Sequence, residues 1–436
     1  MTGAERTATA TTVLAVTAQR TVVIGQGYVG LPVAMAAVRA GYDVTGIELN
    51  EARAKSLMAG DSYIEDISSE RLGEALATGR YRASTSFDDA VGFDFAVISV
   101  PTPLADGVPD LSYIESAAES LAPHVSPGST VILESTTYPG TTEELVGPIL
   151  EAGSGLSVGA DFHLGYSPER IDPGNKTYTL ENTPKVVSGV DDASLDKVDE
   201  FFSKLVEQTV RVPGCMEAEL TKLLENTFRH VNIALVNELA MFSSDLGVDV
   251  WSAIDAASTK PFGYMRFTPG PGVGGHCLPI DPSFLSWRVK RSLGQAFRFV
   301  ELANDVNEHM PDFVVRRLML ALNEQQKAVS GARIVLLGLA YKPNTSDARE
   351  TPSTRVAQLL VDLGAEVVAV DPHVGIDDFD VAVEREVLSE ATLASADCVV
   401  LLCDHDAFDL DLVVEHSRHV LDCRRRVPAA DNVEYL

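Results

Sequence analysis

The sequence predicts an α/β protein in which two Rossmann-like, doubly wound parallel sheets are joined by a central helical domain. Three observations lead to it. Short β-branched runs alternate with helical runs over the first two hundred residues, helical spacing alone fills the middle, and alternation starts again at Gly331. The 436 residues leave room for two or three domains. The expected division is a disordered extension over 1–20, a dinucleotide-binding unit over 21–213, a helical unit over 214–325 and a second α/β unit over 326–436.

The first elements are the most specific. Residues 21–24, Thr-Val-Val-Ile, form a short apolar strand, and Gly25-Gln-Gly27-Tyr28-Val29-Gly30 follows at once. Residues 31–40 make an Ala-rich helix that tolerates Pro32 in its first turn, Gly41 ends it, and a second strand runs over 43–47 to Glu48. A GxGxxG alone is weak evidence, but this one follows a strand, opens a helix and reaches an acid roughly 20 residues on. Gly25 is expected to make the tight turn, Gly27 to admit a pyrophosphate and Gly30 to let helix pack on strand, with amides facing the phosphates. Glu48 suits a ribose diol and repels a 2′-phosphate, so NAD is expected rather than NADP.

Two further buried-type strands run over 95–100 and 130–134. They lead into Pro101-Thr102-Pro103 and Ser135-Thr136-Thr137-Tyr138-Pro139-Gly140. Ligands of open α/β sheets bind beyond the carboxyl ends of strands, which makes Thr102 and Thr136 candidates for contact. Helix capping is an equally good use for them. A fifth strand near His163 ends in Ser167-Pro168-Glu169-Arg170, carrying a carboxylate into a Pro/Gly loop.

From Glu217 to about Glu324 the pattern is helical. Leu220, Leu223, Leu224, Thr227, Phe228, Val231 and Leu235 are expected to form one apolar stripe. Lys222, Asn226 and Arg229 share a different face, for which a solvated charged surface is an adequate explanation. Asn226 is less expected there, because its side chain competes with backbone hydrogen bonding. The run Pro269-Gly-Pro-Gly-Val-Gly-Gly-His-Cys277-Leu-Pro-Ile-Asp281-Pro282 sets a cysteine behind four glycines. Asp281 reads as an N-cap with Pro282 at N1, which puts Cys277 near a helix N-terminus that favours thiolate. A buried cysteine beside a Gly-rich turn is the plainer alternative.

The third part opens with a strand over 332–337 and the turn Gly338-Leu-Ala-Tyr-Lys342-Pro343. A helix over 352–363 and strands over 366–370 and 398–402 follow. It lacks a complete GxGxxG, so no second dinucleotide is expected. Lys342 and Asp347-Ala-Arg349-Glu350 fall at a strand's carboxyl end, where basic groups can meet phosphates.

Composition narrows the class. The net charge of −29 argues against nucleic acid and anionic membranes as partners. Five scattered cysteines, without zinc spacing, suit reduced thiols in the cytoplasm, and no metal site is expected. No stretch reads as a signal peptide or a membrane span.

Together these motifs resemble the UDP-glucose/GDP-mannose dehydrogenase family of NAD-dependent nucleotide-sugar 6-dehydrogenases. The resemblance runs from Thr21 to about Cys423 and rests on Gly25-x-Gly27-x-x-Gly30, Pro101-Thr102-Pro103, Ser135-Thr136, Ser167-Pro168-Glu169, Lys222-x-x-x-Asn226, Gly274-Gly275-His276-Cys277-x-x-x-Asp281, and Lys342-Pro343 followed by Asp347-x-Arg349-Glu350. It implies a four-electron oxidation of the sugar C6 alcohol to a carboxylate with two NAD per turnover. In that scheme Cys277 is the nucleophile, forming a thiohemiacetal and then a thioester. Lys222 stabilises the C6 oxyanion, Asn226 orients it, and Asp281 serves as base or positions water. Glu169 shuttles protons and Thr136 orders water. The resemblance also assigns cofactor contacts to Tyr28, Val29, Glu48, Arg53, Pro101, Thr102, Thr136 and Arg349. Substrate contacts fall to Glu169, Arg170, Lys222, Asn226, Arg229, Gly272, Gly274, Gly275 and Lys342. A UDP-sugar partner and a homodimer built on the central helices are implied as well.

Two departures stand out. The acid after the second strand is Glu48 where the family more often has Asp. The place of a second glutamate after the Pro-Glu motif is taken by Pro173. The segment from Lys260 to Cys277 and Glu134-Ser-Thr-Thr-Tyr-Pro-Gly140 are most similar to the branch that oxidises UDP-N-acetylglucosamine, which is the substrate expected. UDP-glucose and UDP-N-acetylmannosamine remain open. A single-hydride hydroxyacid-type dehydrogenase, which needs no cysteine, and a catalytically dead sugar-nucleotide binder are the alternatives from other classes.

Overall fold

The structure is a computed structural model that describes residues 18–105, 107–172, 175, 177–275, 278 and 280–436. Among them, an eight-stranded sheet has the spatial order Thr209–Arg211, Lys185–Gly189, His163–Tyr166, Thr130–Leu133, Phe95–Ile98, Arg20–Ile24, Asp43–Ile47, Tyr81–Ser84. Neighbours are parallel except His163–Tyr166 and Lys185–Gly189, which pair antiparallel with Gly165 opposite Gly189 and Tyr166 opposite Ser188. Parallel strands covered on both faces should read as continuous apolar runs, and Phe95–Ile98 and Thr130–Leu133 are buried at every position. Strand order reverses at Arg20–Ile24, so the crevice opens beyond Ile24 and Ile98. The first strand already includes Arg20, and residues 1–17 of the expected extension lie outside the described residues.

A second sheet is parallel throughout, in the order Glu384–Arg385, Glu366–Val370, Arg333–Leu337, Cys398–Leu401, Val420–Asp422, Val433–Tyr435. Between the sheets lie the helices Cys215–Leu246, Val250–Ser258, Asp281–Leu293 and Arg298–Glu324. The two long ones pack together around a buried polar seam that the sequence patterns do not reveal. Asn237 donates to Asn307 Oδ1 at 2.9 Å and accepts from the Gly270 amide at 3.0 Å, and His230 Nε2 meets Asn304 Oδ1 at 2.7 Å. Among the described residues no helix is long and apolar enough to cross a membrane.

The expected apolar stripe divides. Leu223 and Thr227 are buried, but Leu220, Leu224, Phe228 and Leu235 are exposed. The core is met by a different arc of the helix, which includes Lys222. That helix therefore presents a second apolar face outward, continued by Leu239, Phe242 and Leu246.

Candidate functional site

The dinucleotide fingerprint is built as its spacing predicts. Gly25 has φ +89°, and a Cβ there would stand 2.6 Å from Ser99 O. A Cβ on Gly30 would stand 1.9 Å from Gly25 O, so helix Gly30–Arg39 can sit this close only without one. At Gly27 a Cβ would meet nothing within 4 Å, which leaves an open cradle on the crevice side. Val29 holds the N-cap position with no side-chain cap, and the first turn has no acidic residue, so the helix keeps amides for an anion. Glu48 follows the second strand, with its carboxylate accepting from the Gln26 amide at 3.4 Å and the Asn50 amide at 3.0 Å. Arg53 lies over the Tyr63 ring, 5.4 Å from its centre. These residues fit a pyrophosphate and a ribose diol. Pro101 is exposed and Thr102 buried beyond the Phe95–Ile98 strand.

The third part of the chain reaches back to this crevice. The Arg349 guanidinium lies 5.6 Å from the centre of the Tyr28 ring and is held by both oxygens of Asp347 at 2.8 and 2.6 Å. Ser346 donates to Glu65 through its amide at 3.2 Å and its hydroxyl at 3.1 Å, and Lys342 Nζ stands 3.3 Å from Asp172 Oδ1. The loop carrying these groups is fixed within its own sheet. Asp371 accepts amides from Leu339 and His373, and His405 bridges Asp371 to the Asn344 amide. The glycine run lies flat against the same loop. Cβ atoms on Gly274 and Gly275 would stand 2.7 Å from Glu350 O and 2.7 Å from the Tyr341 ring, and the Gly275 amide donates to Arg349 O at 3.1 Å. Gly272 sits at φ +135°, against Pro352 and Asn307 O. Much of the need for glycine here therefore comes from contact between the helical part and the third part.

Beside these elements lies a cluster of buried charge. Lys222, on the inward face of its helix, donates to the Glu169 backbone carbonyl at 2.6 Å. One turn on, Asn226 Nδ2 donates to Asp281 Oδ2 at 2.6 Å. Burial lifts the Asp281 carboxyl to about 6 against the opposing pull of Lys222 and Asn226. Asp281 is the first residue of helix Asp281–Leu293 and Ile280 holds the N-cap position, so the expected N-cap is shifted by one residue and the carboxylate is turned to Asn226. The solvated-face reading of Lys222 fails, whereas Arg229 is exposed. Arg170 grips Glu225 at 2.6 Å and Pro184 O at 2.6 Å. Cys277 and His276 lie outside the described residues, as do Pro173 and Gly174.

Three charged groups in and around this cluster have no role assigned from the motifs. Glu219, one turn before Lys222, accepts from the Gly140 amide at 2.6 Å, the Thr142 amide at 2.9 Å and the Thr142 hydroxyl at 2.7 Å. It thereby ties the turn that carries half-buried Thr136 to the helix, while Tyr138 rests on Trp287 with ring centres 5.1 Å apart. Burial raises Glu219 to about 7. Lys185 is fully buried between Glu134 and Glu169. One signal for this pair was present: a lone acid closes one apolar strand run and a lone lysine opens another, and buried charges of that kind need partners.

Comparison with known proteins agrees with this geometry. Residues 19–206, 216–309 and 335–428 match, in turn, the NAD binding, central and UDP binding domains of the UDP-glucose/GDP-mannose dehydrogenase family. The chain is 36% identical over 391 residues to the UDP-N-acetyl-D-mannosamine dehydrogenase of Pyrococcus horikoshii, covering 89% of this chain and 90% of that protein. It is 35% identical over 421 residues to the enzyme of the same name from Escherichia coli K12, covering 92% and 97%. The solved structure of the Pyrococcus horikoshii UDP-D-ManNAc dehydrogenase superposes with a TM-score of 0.86 at 34% identity, covering 96% of this chain and 99% of that one. With fingerprint, buried charge cluster and basic loop set around one crevice, the chain belongs to the UDP-glucose/GDP-mannose dehydrogenase family and is an NAD-dependent nucleotide-sugar dehydrogenase.

Proposed function

We propose that the chain oxidises C6 of UDP-N-acetyl-D-mannosamine to the carboxylate. The observation that carries the choice of sugar is the pair of relatives, 35% and 36% identical over nearly the whole chain, that are named UDP-N-acetyl-D-mannosamine dehydrogenase. The sequence resemblance pointed first to the 2-epimer, UDP-N-acetylglucosamine, and the relatives favour the alternative. Discriminating two such epimers takes only ~1–3 kcal/mol of pocket contact.

NAD, when bound, accepts the hydrides released at C6. The remaining work falls to the chain. Gly25, Gly27, Tyr28, Val29, Gly30, Glu48, Arg53, Pro101, Thr102, Thr136 and Arg349 hold the cofactor. Arg170, Arg229, Gly272, Gly274, Gly275 and Lys342 hold the sugar nucleotide. Lys222 stabilises the oxyanion at C6 as a preorganised cation, and Asn226 aligns Asp281. Asp281, poised near 6, takes the alcohol proton and later directs the water that cleaves the thioester. Cys277 adds to the C6 aldehyde, so that the thiohemiacetal can lose a second hydride. Glu169 exchanges protons with the site and Thr136 orders water. One alcohol, one water and two oxidised cofactors thus give one carboxylate, two reduced cofactors and three protons.

The division into 21–213, 214–325 and 326–436 belongs to this proposal, as do a cytoplasmic location and a homodimer formed on the outward apolar face of Cys215–Leu246. Buried free thiols at Cys215, Cys398, Cys403 and Cys423 support the location. The test is NADH formed per sugar consumed with UDP-N-acetyl-D-mannosamine, UDP-N-acetylglucosamine, UDP-glucose and GDP-mannose. Two NADH, with the first substrate ahead, is expected, and Cys277→Ser should lose the carboxylate product. A single NADH per sugar, or preference for another substrate, would overturn the reading.

A further inference from the structure

Three ionisable groups lie almost out of solvent beside Lys222: Glu134, Lys185 and Glu169. Their meeting follows from strand direction. The strand Lys185–Gly189 runs antiparallel to His163–Tyr166, with Tyr166 opposite Ser188. Continuing that pairing three residues beyond Tyr166 puts Glu169 opposite Lys185, the first residue of its strand. Glu134 comes from the other side, directly after the strand Thr130–Leu133 that pairs with His163–Tyr166.

One ammonium thus faces two carboxyls, and the two are not treated alike. Glu169 Oε1 accepts the backbone amides of Arg170, at 2.6 Å, and Ile171, while Oε2 stands 3.4 Å from Lys185 Nζ. Lys222 lies on the carbonyl of the same residue. Glu134 accepts only from Lys185, which stands nearer to it than to Glu169; its carboxyl also meets the Glu169 carboxyl, and its Oε2 has no donor among the described residues. Lys185 spends a further bond on Pro168 O at 3.0 Å, which fixes the residue before Glu169. Amide donors and cations stabilise a carboxylate, and a buried oxygen without a donor favours the acid.

We propose that Lys185 and Glu134 are positioning residues for the oxidation: the Lys185 ammonium holds Glu169 as the ionised carboxylate beside Lys222, while Glu134 keeps the proton. The proposal rests on the assignment of Glu169 as the proton-exchanging group in the proposed function. Glu169 then enters each turnover as a base of fixed orientation, and the neutral acid at Glu134 spares the cluster a second buried negative charge. The directions agree. Burial, with Glu169 as a neighbour, pushes the Glu134 carboxyl well above the carboxylate range despite Lys185. Burial would raise Glu169 too, but Lys185, Lys222 and the Ile171 amide outweigh it and leave that carboxyl below its ordinary value. The charged groups facing Glu169 are Lys185, Glu134 and Lys222, Asp281 lies beyond Lys222, and neighbouring Arg170 is paired to Glu225.

Infrared spectroscopy of the intact protein tests this without requiring turnover. At neutral pH one protonated-carboxyl band should vanish in Glu134→Gln and persist in Glu169→Gln. In Lys185→Met the titration of Glu169, assigned by its loss in the double variant with Glu169→Gln, should move up by about 1–3 pH units, the reach of a close opposite charge. Lys185→Arg should restore it, which separates loss of the cation from loss of the fold. Where the parent oxidises UDP-N-acetyl-D-mannosamine, the acidic limb of kcat/KM should rise in Lys185→Met and return in Lys185→Arg, with the KM for NAD unmoved. A band lost in Glu169→Gln instead, or a Glu169 titration unmoved by Lys185→Met, would overturn the proposal. A parent that oxidises none of the sugars would count against the function alone, because the band assignments stand apart from it.

Discussion

Asp281 shows how one residue's environment can trade stability for chemistry. Its ordinary value is 3.8, and burial, opposed by Lys222 and Asn226, leaves it at about 6 in the folded chain. Between those values the folded state holds a proton that the unfolded chain has released. Stability therefore falls as pH rises from about 4 to about 6, and the deficit persists above that. At 1.36 kcal/mol per pH unit the deficit is about 3 kcal/mol at most. Asp281→Asn keeps an acceptor for Asn226 Nδ2 and removes the buried charge. It should raise thermal stability at pH 8 by about 1–3 kcal/mol, with the gain vanishing near pH 4, and lower kcat ~100-fold or more. Melting curves at the two pH values decide it, and a variant less stable at pH 8 would refute the account. Lys222 and Asn226 were legible through one motif and Asp281 through a second, both by their resemblance to a known family, whereas helical spacing alone put Lys222 on a solvated face. Lys185 and Glu134 were not, since each is a single charge at the end of an apolar run and their meeting depends on strand pairing.

At the scale of elements, the strand–turn–helix unit around Gly25-x-Gly27-x-x-Gly30 separates two uses of glycine. A methyl at Gly30 collides with the backbone of Gly25, whereas one at Gly27 enters open space. Gly30→Ala should cost about 1–3 kcal/mol in a thermal or denaturant melt, the usual scale of overpacking, and should also impair NAD binding. Gly27→Ala should leave stability within about 0.5 kcal/mol and weaken NAD, measured by calorimetric titration, about tenfold or more. Equal stability losses in both would show that the cradle is not built for a ligand. This unit was legible in full because its turn chemistry is local. The helix Cys215–Leu246 was legible as a helix, but not in its orientation. Apolar residues occupy two of its faces, and which one meets the core is decided by the helix Arg298–Glu324 and the first sheet rather than by spacing.

For the whole molecule, that outward face is the largest consequence. Leu224, Phe228, Leu235, Phe242 and Leu246 stand exposed on one helix, more apolar surface than a solvated helix ordinarily shows. A second copy is the proposed occupant, through a two-fold contact of the commonest kind. Leu224→Asp combined with Phe228→Asp should convert the dimer to a monomer in light scattering with the circular dichroism spectrum retained. A parent that is already monomeric at working concentration would refute the dimer. In the clasp across the crevice, Tyr28 and Arg349 were each singled out in the sequence, but their contact and the bond from Ser346 to Glu65 could not be read, because the partners lie hundreds of residues apart.

The one antiparallel pairing in the first sheet, between His163–Tyr166 and Lys185–Gly189, carries one more implication. Because Lys185 meets Glu169 through pairing register rather than through the conformation of the loop between them, that loop is free to vary in length. Insertions between Tyr178 and Asn182 should spare the charged cluster, whereas sliding the strand by a single residue would turn Lys185 to the other side of the sheet. The charged cluster is in this sense a matter of parity: it tolerates drift in the connection and none in the count of residues along the ladder.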